Sequence, residues 1–122
     1  GQDLELYLIY PQGNYIRPAD SKPYLVIGEV KYGKPILDRV ITPSVSIGDA
    51  ARCALISMDS TLKSDLTVGP PIDLAVFIKG EKKLSYMKCL STNDEDYKKI
   101  CDKWSDKVLQ VFDTFPKFDW EK

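Results

Sequence analysis

The sequence predicts an α+β fold in which helices pack on antiparallel strands. Three observations carry this. Short apolar runs bounded by Gly and Pro give way to apolar residues at helical spacing, in the order β-β-β-α-α-β-β-α. Strands are grouped with strands and helices with helices, whereas a parallel sheet would need them to alternate. The chain has 122 residues with no internal repeat and no linker long enough to divide it, so residues 1–122 read as one domain.

Each element has a local reason. Residues 4–10 place Leu4, Leu6 and Leu8 on one strand face, with Tyr7 and Ile9 making the other face partly apolar. Pro11, Gln12, Gly13 and Asn14 supply turn chemistry, and Tyr15, Ile16 and Arg17 return as a hairpin partner. After a polar loop, residues 24–27 predict a third short strand, stopped by Gly28. Pro35 then suits the first turn of a helix, where its missing N–H costs least; Ile36, Leu37, Val40 and Ile41 form the apolar face, and Pro43 ends it. Ser46 with Asp49 three residues on is a variant of the capping box, opening a longer helix with Ile47, Ala50, Ala51, Ala54, Leu55, Met58 and Leu62 at helical spacing. Gly69, Pro70 and Pro71 break that pattern. Residues 72–78 form a strand apolar on both faces, and residues 84–90 are its hairpin partner. Thr92 or Asn93 is expected to start a last helix over 92–115, with Thr92 and Glu95 as its capping box. Pro116 stops it, and residues 116–122 form an aromatic tail that needs a surface to cover it, either a subunit contact or the chain's own helices.

Composition narrows the function. Seventeen basic and eighteen acidic residues leave a net charge of −1, so no basic field is available for a nucleic-acid or anionic membrane surface. No apolar run approaches a bilayer span. Histidine is absent, which removes Ser-His-Asp and Cys-His catalysis within this chain and argues against a metal site or other cofactor. Cys53, Cys89 and Cys101 are odd in number and widely spaced, which reads as free thiols in a reducing compartment, the cytoplasm.

Taken residue by residue, the catalytic signals are thin. Glu29, Asp38, Asp49, Asp59, Asp65 and Asp73 are scattered carboxylates, and most such groups face solvent or cap helices. Ser57, Ser60, Thr61, Ser64 and Thr67 crowd the end of the second helix, either as a hydroxyl-rich rim or as an ordinary frayed end, the latter being favoured. The Gly28–Gly33 segment has neither phosphate-loop spacing.

Three longer stretches are more specific. Residues 27–40 (IGEVKYGKPILDRV), 50–61 (AARCALISMDST) and 65–74 (DLTVGPPIDL), with residues 8–14 before them, resemble the ancestral-beta-subunit group of bacterial proteasome homologues, known as Anbu. The resemblance covers roughly residues 4–80. It implies the second half of an αββα sandwich of the N-terminal-nucleophile hydrolases, two antiparallel sheets face to face with helix layers outside. In that superfamily the hydroxyl or thiol of the first mature residue attacks, and its own α-amine, or a water it holds, takes the proton, which needs no histidine. The resemblance places the nucleophile, and the Lys and Asp that tune the amine, ahead of everything matched here, and Gly1 has no side chain to attack with. The expectation is a C-terminal fragment of a peptidase subunit, partnered by the missing N-terminal half and sister subunits, acting on peptides. The alternative is a non-catalytic assembly module using half of the fold. By the same resemblance Asp65, followed by Gly69, matches the Asp that supports the catalytic N-terminus. The related pattern has Ser directly before the Gly; Val68 stands there and Thr67 precedes it, making Thr67 the hydroxyl candidate. Glu29 replaces a common Ser and is either a site residue or a charge at a helix start. A half-sandwich should also show an open sheet edge or an exposed apolar face.

Overall fold

The computed structural model describes residues 4–122. The elements are β1 (Leu8–Ile9), β2 (Tyr15–Ile16), α1 (Lys34–Val40), α2 (Ile47–Ser64), β3 (Ile72–Val76), β4 (Tyr86–Leu90), α3 (Glu95–Phe112) and a closing 3-10 turn at Asp119–Glu121. They form two separate antiparallel hairpins, β1-β2 and β3-β4, with three helices.

The predicted turn between the first two strands forms, with Gly13 at φ 92° and its N–H donating to the Tyr10 carbonyl at 2.9 Å. Leu8 stands opposite Ile16, and Ile9 opposite Tyr15. Only two residues on each side pair, so the strand expected over 4–10 is reduced to Leu8–Ile9. The third strand expected over 24–27 does not form. That segment is half-buried up to Val26, but no described strand lies beside it to complete a ladder. Side chains hold it instead: the Tyr24 hydroxyl donates to Asp38 of α1, and Lys22 Nζ donates to the Asp38 carbonyl oxygen at 3.1 Å. The observed order is therefore β-β-α-α-β-β-α.

The helix starts follow their side chains. Ser46 Oγ accepts from the Asp49 N–H at 3.0 Å, capping α2, while the Asp49 carboxylate pairs with Arg52 at 2.7 Å. At α3 the expected Thr92 cap is displaced. Asp94 is the cap, its Oδ1 accepting from the Tyr97 N–H at 3.0 Å and its Oδ2 meeting Lys88 of β4 at 2.8 Å. Residues 91–94 are used up in a turn closed by the Asp94 N–H on the Ser91 carbonyl, so the helix cannot begin at Thr92. It ends at Phe112, three residues short of 115, because Thr114 bonds back to the Val111 carbonyl through both N–H and hydroxyl.

β3 and β4 pair from Ile72 opposite Leu90 to Val76 opposite Tyr86. One face of this hairpin (Ile72, Leu74, Leu90) packs on α2 and α3 through Leu55, Tyr97 and Cys101. The other face, with Asp73, Ala75, Met87 and Cys89, is open to solvent. A second apolar cluster joins α1 and α2 through Leu37, Ile41 and Cys53, covered by Tyr24 and Val26. The chain exposes 9693 Å², whereas a monomeric globular protein of 13.8 kDa exposes about 6,600 Å². Among the described residues no large side chain is fully buried.

Candidate functional site

The three candidate residues lie on two loops at the ends of helices. Asp65 is the residue after α2, half-buried, with its N–H still donating to the Thr61 carbonyl at 2.8 Å. The backbone leaves the helix there because Asp65 adopts an extended conformation, φ −128° and ψ 108°. The chain then turns, and Thr67 folds back onto the carboxylate. Asp65 Oδ1 accepts from the Thr67 N–H at 2.9 Å and from its hydroxyl at 2.6 Å. Both bonds fall on Oδ1; among the described residues none falls on Oδ2. The Thr67 hydroxyl, then its N–H, hold the Asp65 carboxyl below the usual carboxylate range, and the charge of Lys31 adds to this.

Glu29 is bonded locally, to the residue whose charge acts on Asp65, Lys31. The Lys31 N–H donates to Glu29 Oε1 at 3.1 Å, in the loop that runs from Gly28 (φ 80°) to α1. Asp65 and Thr67 are therefore in direct contact, whereas the described hydrogen bond of Glu29 is local, from the Lys31 N–H. Lys31 is a residue that sequence reading passed over, because a lysine in a polar loop carries no distinguishing signal.

The hydroxyl-rich end of α2 is not a rim. Ser57 and Thr61 are buried, and Thr61 and Ser60 donate to the Ser57 and Ile56 carbonyls, each at 3.0 Å. These bonds satisfy the hydroxyls within the helix. A polar tie between α2 and α3 was equally hidden. The Tyr97 hydroxyl donates to Asp59 Oδ1 at 2.9 Å, and Lys63 meets Asp59 Oδ2 at 2.9 Å. Burial, then Asp59, push the Tyr97 phenol far above its ordinary value; burial, then the Asp59 charge, push the neighbouring Cys101 thiol up to about 11. This tie orients the helix carrying Asp65 at its end.

Among the described residues, no group of three or more His, Cys, Asp or Glu side chains is placed to hold a metal ion. No described helix is long and apolar enough to cross a membrane. What the corner offers is an ionised carboxylate with one oxygen fixed by Thr67 and the other available to an N–H donor.

No protein-family model matches the sequence, and no curated protein matches it. Solved structures do. Anbu from Hyphomicrobium sp. strain MC1 is 43% identical with a TM-score of 0.89, over 94% of this chain and 49% of that one. Anbu (ancestral beta-subunit) from Yersinia bercovieri is 38% identical with a TM-score of 0.93, over 98% and 51%. Anbu from Pseudomonas aeruginosa, whose complex is a helical assembly, is 40% identical with a TM-score of 0.87, over 93% and 47%. Identity near 40% together with superposition of nearly the whole chain goes beyond shared architecture. The chain belongs with the ancestral beta-subunit (Anbu) proteins, spanning about half of their length.

Proposed function

We propose that this chain forms the C-terminal half of a cytoplasmic, proteasome-type N-terminal-nucleophile peptidase subunit, working with its other half and with sister subunits on peptide substrates. The carrying observation is the match of nearly the whole chain to half of each Anbu subunit. The open face of β3-β4 and an excess surface of about 3,000 Å² agree with it, because that is surface a second sheet layer would bury.

In this reading the other half supplies the attacking hydroxyl or thiol and the α-amine that takes its proton. The amine becomes an ammonium as the tetrahedral intermediate forms, and returns the proton to the leaving amine of the peptide. Asp65 does not react. It is a positioning residue whose Oδ2 would accept from an N–H of the catalytic N-terminus, directly or through a neighbouring group, and its negative charge favours the ammonium. Thr67 keeps the carboxylate turned and ionised. Glu29 with Lys31 borders the same corner. The Pseudomonas relative forms a helical assembly, and the same reading gives this subunit sister copies as partners.

The test uses the full subunit and a peptide electrophile that acylates an N-terminal nucleophile, followed by mass spectrometry. Wild type is expected to be labelled at its first mature residue, and Asp65→Asn to be labelled more slowly at unchanged stability. Labelling at the same rate in both removes Asp65 from the mechanism. No labelling of wild type removes the peptidase reading.

A further inference from the structure

α3 changes character along its length. Its first turns are seated, with Tyr97 and Cys101 buried against α2 and the hairpin. Trp104 still borders α2, beside Asp59, Ser60 and Lys63. Beyond Leu109 the chain leaves the body. Phe112, Phe115, Phe118 and Trp120 are 64%, 54%, 66% and 78% exposed. Among the described residues, every hydrogen bond and ion pair of residues 113–122 stays within 111–122.

The segment is nonetheless built. Phe112 and Phe115 meet edge to face at 5.1 Å, and Phe118 stacks on Trp120 at 5.6 Å and 11°. The closing turn is locked by the Phe118 N–H donating to Glu121 Oε2 at 2.6 Å and the Glu121 N–H to the Phe118 carbonyl at 3.0 Å. Four aromatics are thus held in place on an arm with no core of its own, which lowers the entropy lost when a partner covers them.

We infer that this aromatic arm, Phe112 to Trp120, docks on a second copy of the subunit and forms a head-to-tail contact. The inference rests on the subunit reading above and deepens it by naming the contact. The subunit's own other half is the wrong occupant. A second sheet would cover the open face of β3-β4 (Asp73, Ala75, Met87, Cys89), whereas α3 lies on the opposite face of that hairpin. The arm leaves from the outer helix layer, the side turned away from a partner sheet. The area fits as well. With about two-thirds of each ring still exposed, the four aromatics offer roughly 400–650 Å². Counting both sides gives about 800–1,300 Å², the lower range of specific interfaces. A projecting arm that seats on a different surface of the next copy is a heterologous contact, and such contacts propagate into open helical assemblies when the rotation does not close.

The experiment uses the full subunit in two differently tagged forms, each with a photoreactive phenylalanine analogue at position 118. The expected product joins the two tags. Cross-links confined to one chain, or none at all, overturn the inference. In sedimentation, Phe118→Ala with Trp120→Ala is expected to weaken self-association about a hundredfold or more, the usual weight of two central aromatics, with the circular dichroism spectrum and acylation of the N-terminal nucleophile kept. Assembly equal to wild type overturns it. Lost assembly with no acylation in wild type would leave the arm contact standing and remove the peptidase reading alone.

Discussion

Gly33 is where α1 meets α2, and adding a single methyl group there tests the packing described above. Its backbone is ordinary right-handed, φ −98° and ψ −30°, so conformational freedom is not what the position requires. Space is. A Cβ built at Gly33 lies 2.1 Å from Ser57 Oγ and 3.2 Å from both Ser57 Cβ and the Ser57 carbonyl oxygen. The hydroxyl can rotate away from the methyl. The Cβ and the carbonyl belong to the middle of an 18-residue helix and cannot. The helices must separate by some tenths of an ångström, loosening Leu37 and Ile41 from Cys53. Overpacking of this kind costs about 1–3 kcal/mol. At a urea dependence of about 2 kcal/mol per molar, Gly33→Ala should lower the unfolding midpoint by roughly 0.5–1.5 M, read by circular dichroism. The decisive measurement is the cycle with Ser57→Gly. That change costs about 1 kcal/mol as a glycine inside a helix, and removes Oγ and Cβ while leaving the carbonyl oxygen at 3.2 Å. In that background Gly33→Ala should cost distinctly less than in wild type, a coupling of about 1 kcal/mol. Any difference between Gly and Ala as a helix cap acts equally in both backgrounds and cancels. Equal effects of Gly33→Ala in the two backgrounds would refute the close approach.

Three other outcomes follow from named contacts. Tyr97→Phe removes the donor to Asp59 and leaves a poorly solvated carboxylate oxygen, so the protein should lose about 1–3 kcal/mol; an unchanged urea midpoint would show that Lys63 alone satisfies Asp59. Thr67→Ala should move the Asp65 titration upward, since Thr67 is the main cause of its lowered value. Because a lowered carboxyl stabilises the fold above its unfolded value and loses that contribution as pH falls through the folded one, the variant should also lose stability at a higher pH on acidification than wild type. Carbon-detected NMR of the carboxyl reports the first effect, and an unmoved titration would detach Thr67 from Asp65. Native alkylation should reach Cys89, which is exposed, before the buried Cys53 and Cys101. The Cys89 thiol is raised chiefly by its hydrogen bond to Asp73, so Asp73→Asn should speed its alkylation near neutral pH; a slower or equal rate would contradict that pairing.

Local chemistry written in consecutive residues is legible in the sequence. Ser46 caps α2, Gly13 turns the first hairpin, Pro35 sits in the first turn of α1, and residues 72–76 pair with 86–90, each through neighbours the chain itself supplies. Sequence reading goes astray where the deciding partner is far away. Thr92 reads as the cap, but in the structure Asp94 takes that place, paired with Lys88 on β4. Residues 24–27 read as a strand because their composition is that of a strand, but a strand exists only beside another. The candidate corner divides the same way. The resemblance points to Asp65 and Thr67, but the turn that folds Thr67 onto the carboxylate is seen only in the structure; the effect of the Lys31 charge on Asp65 likewise depends on the fold.

The order of residues was enough for the α+β class, the helix starts set by short-range hydrogen bonds, the lack of histidine chemistry, and the resemblance that points to Asp65. Folding in three dimensions settled which face of β3-β4 is open, that α3 lies on the other face, and that the aromatic tail projects as an ordered arm. The division has a physical cause. Capping and turn bonds close within a few residues, where the identities of neighbours fix the energy. The orientation of a face depends on packing between residues dozens of positions apart, and the sum of those contacts is not written in any one segment.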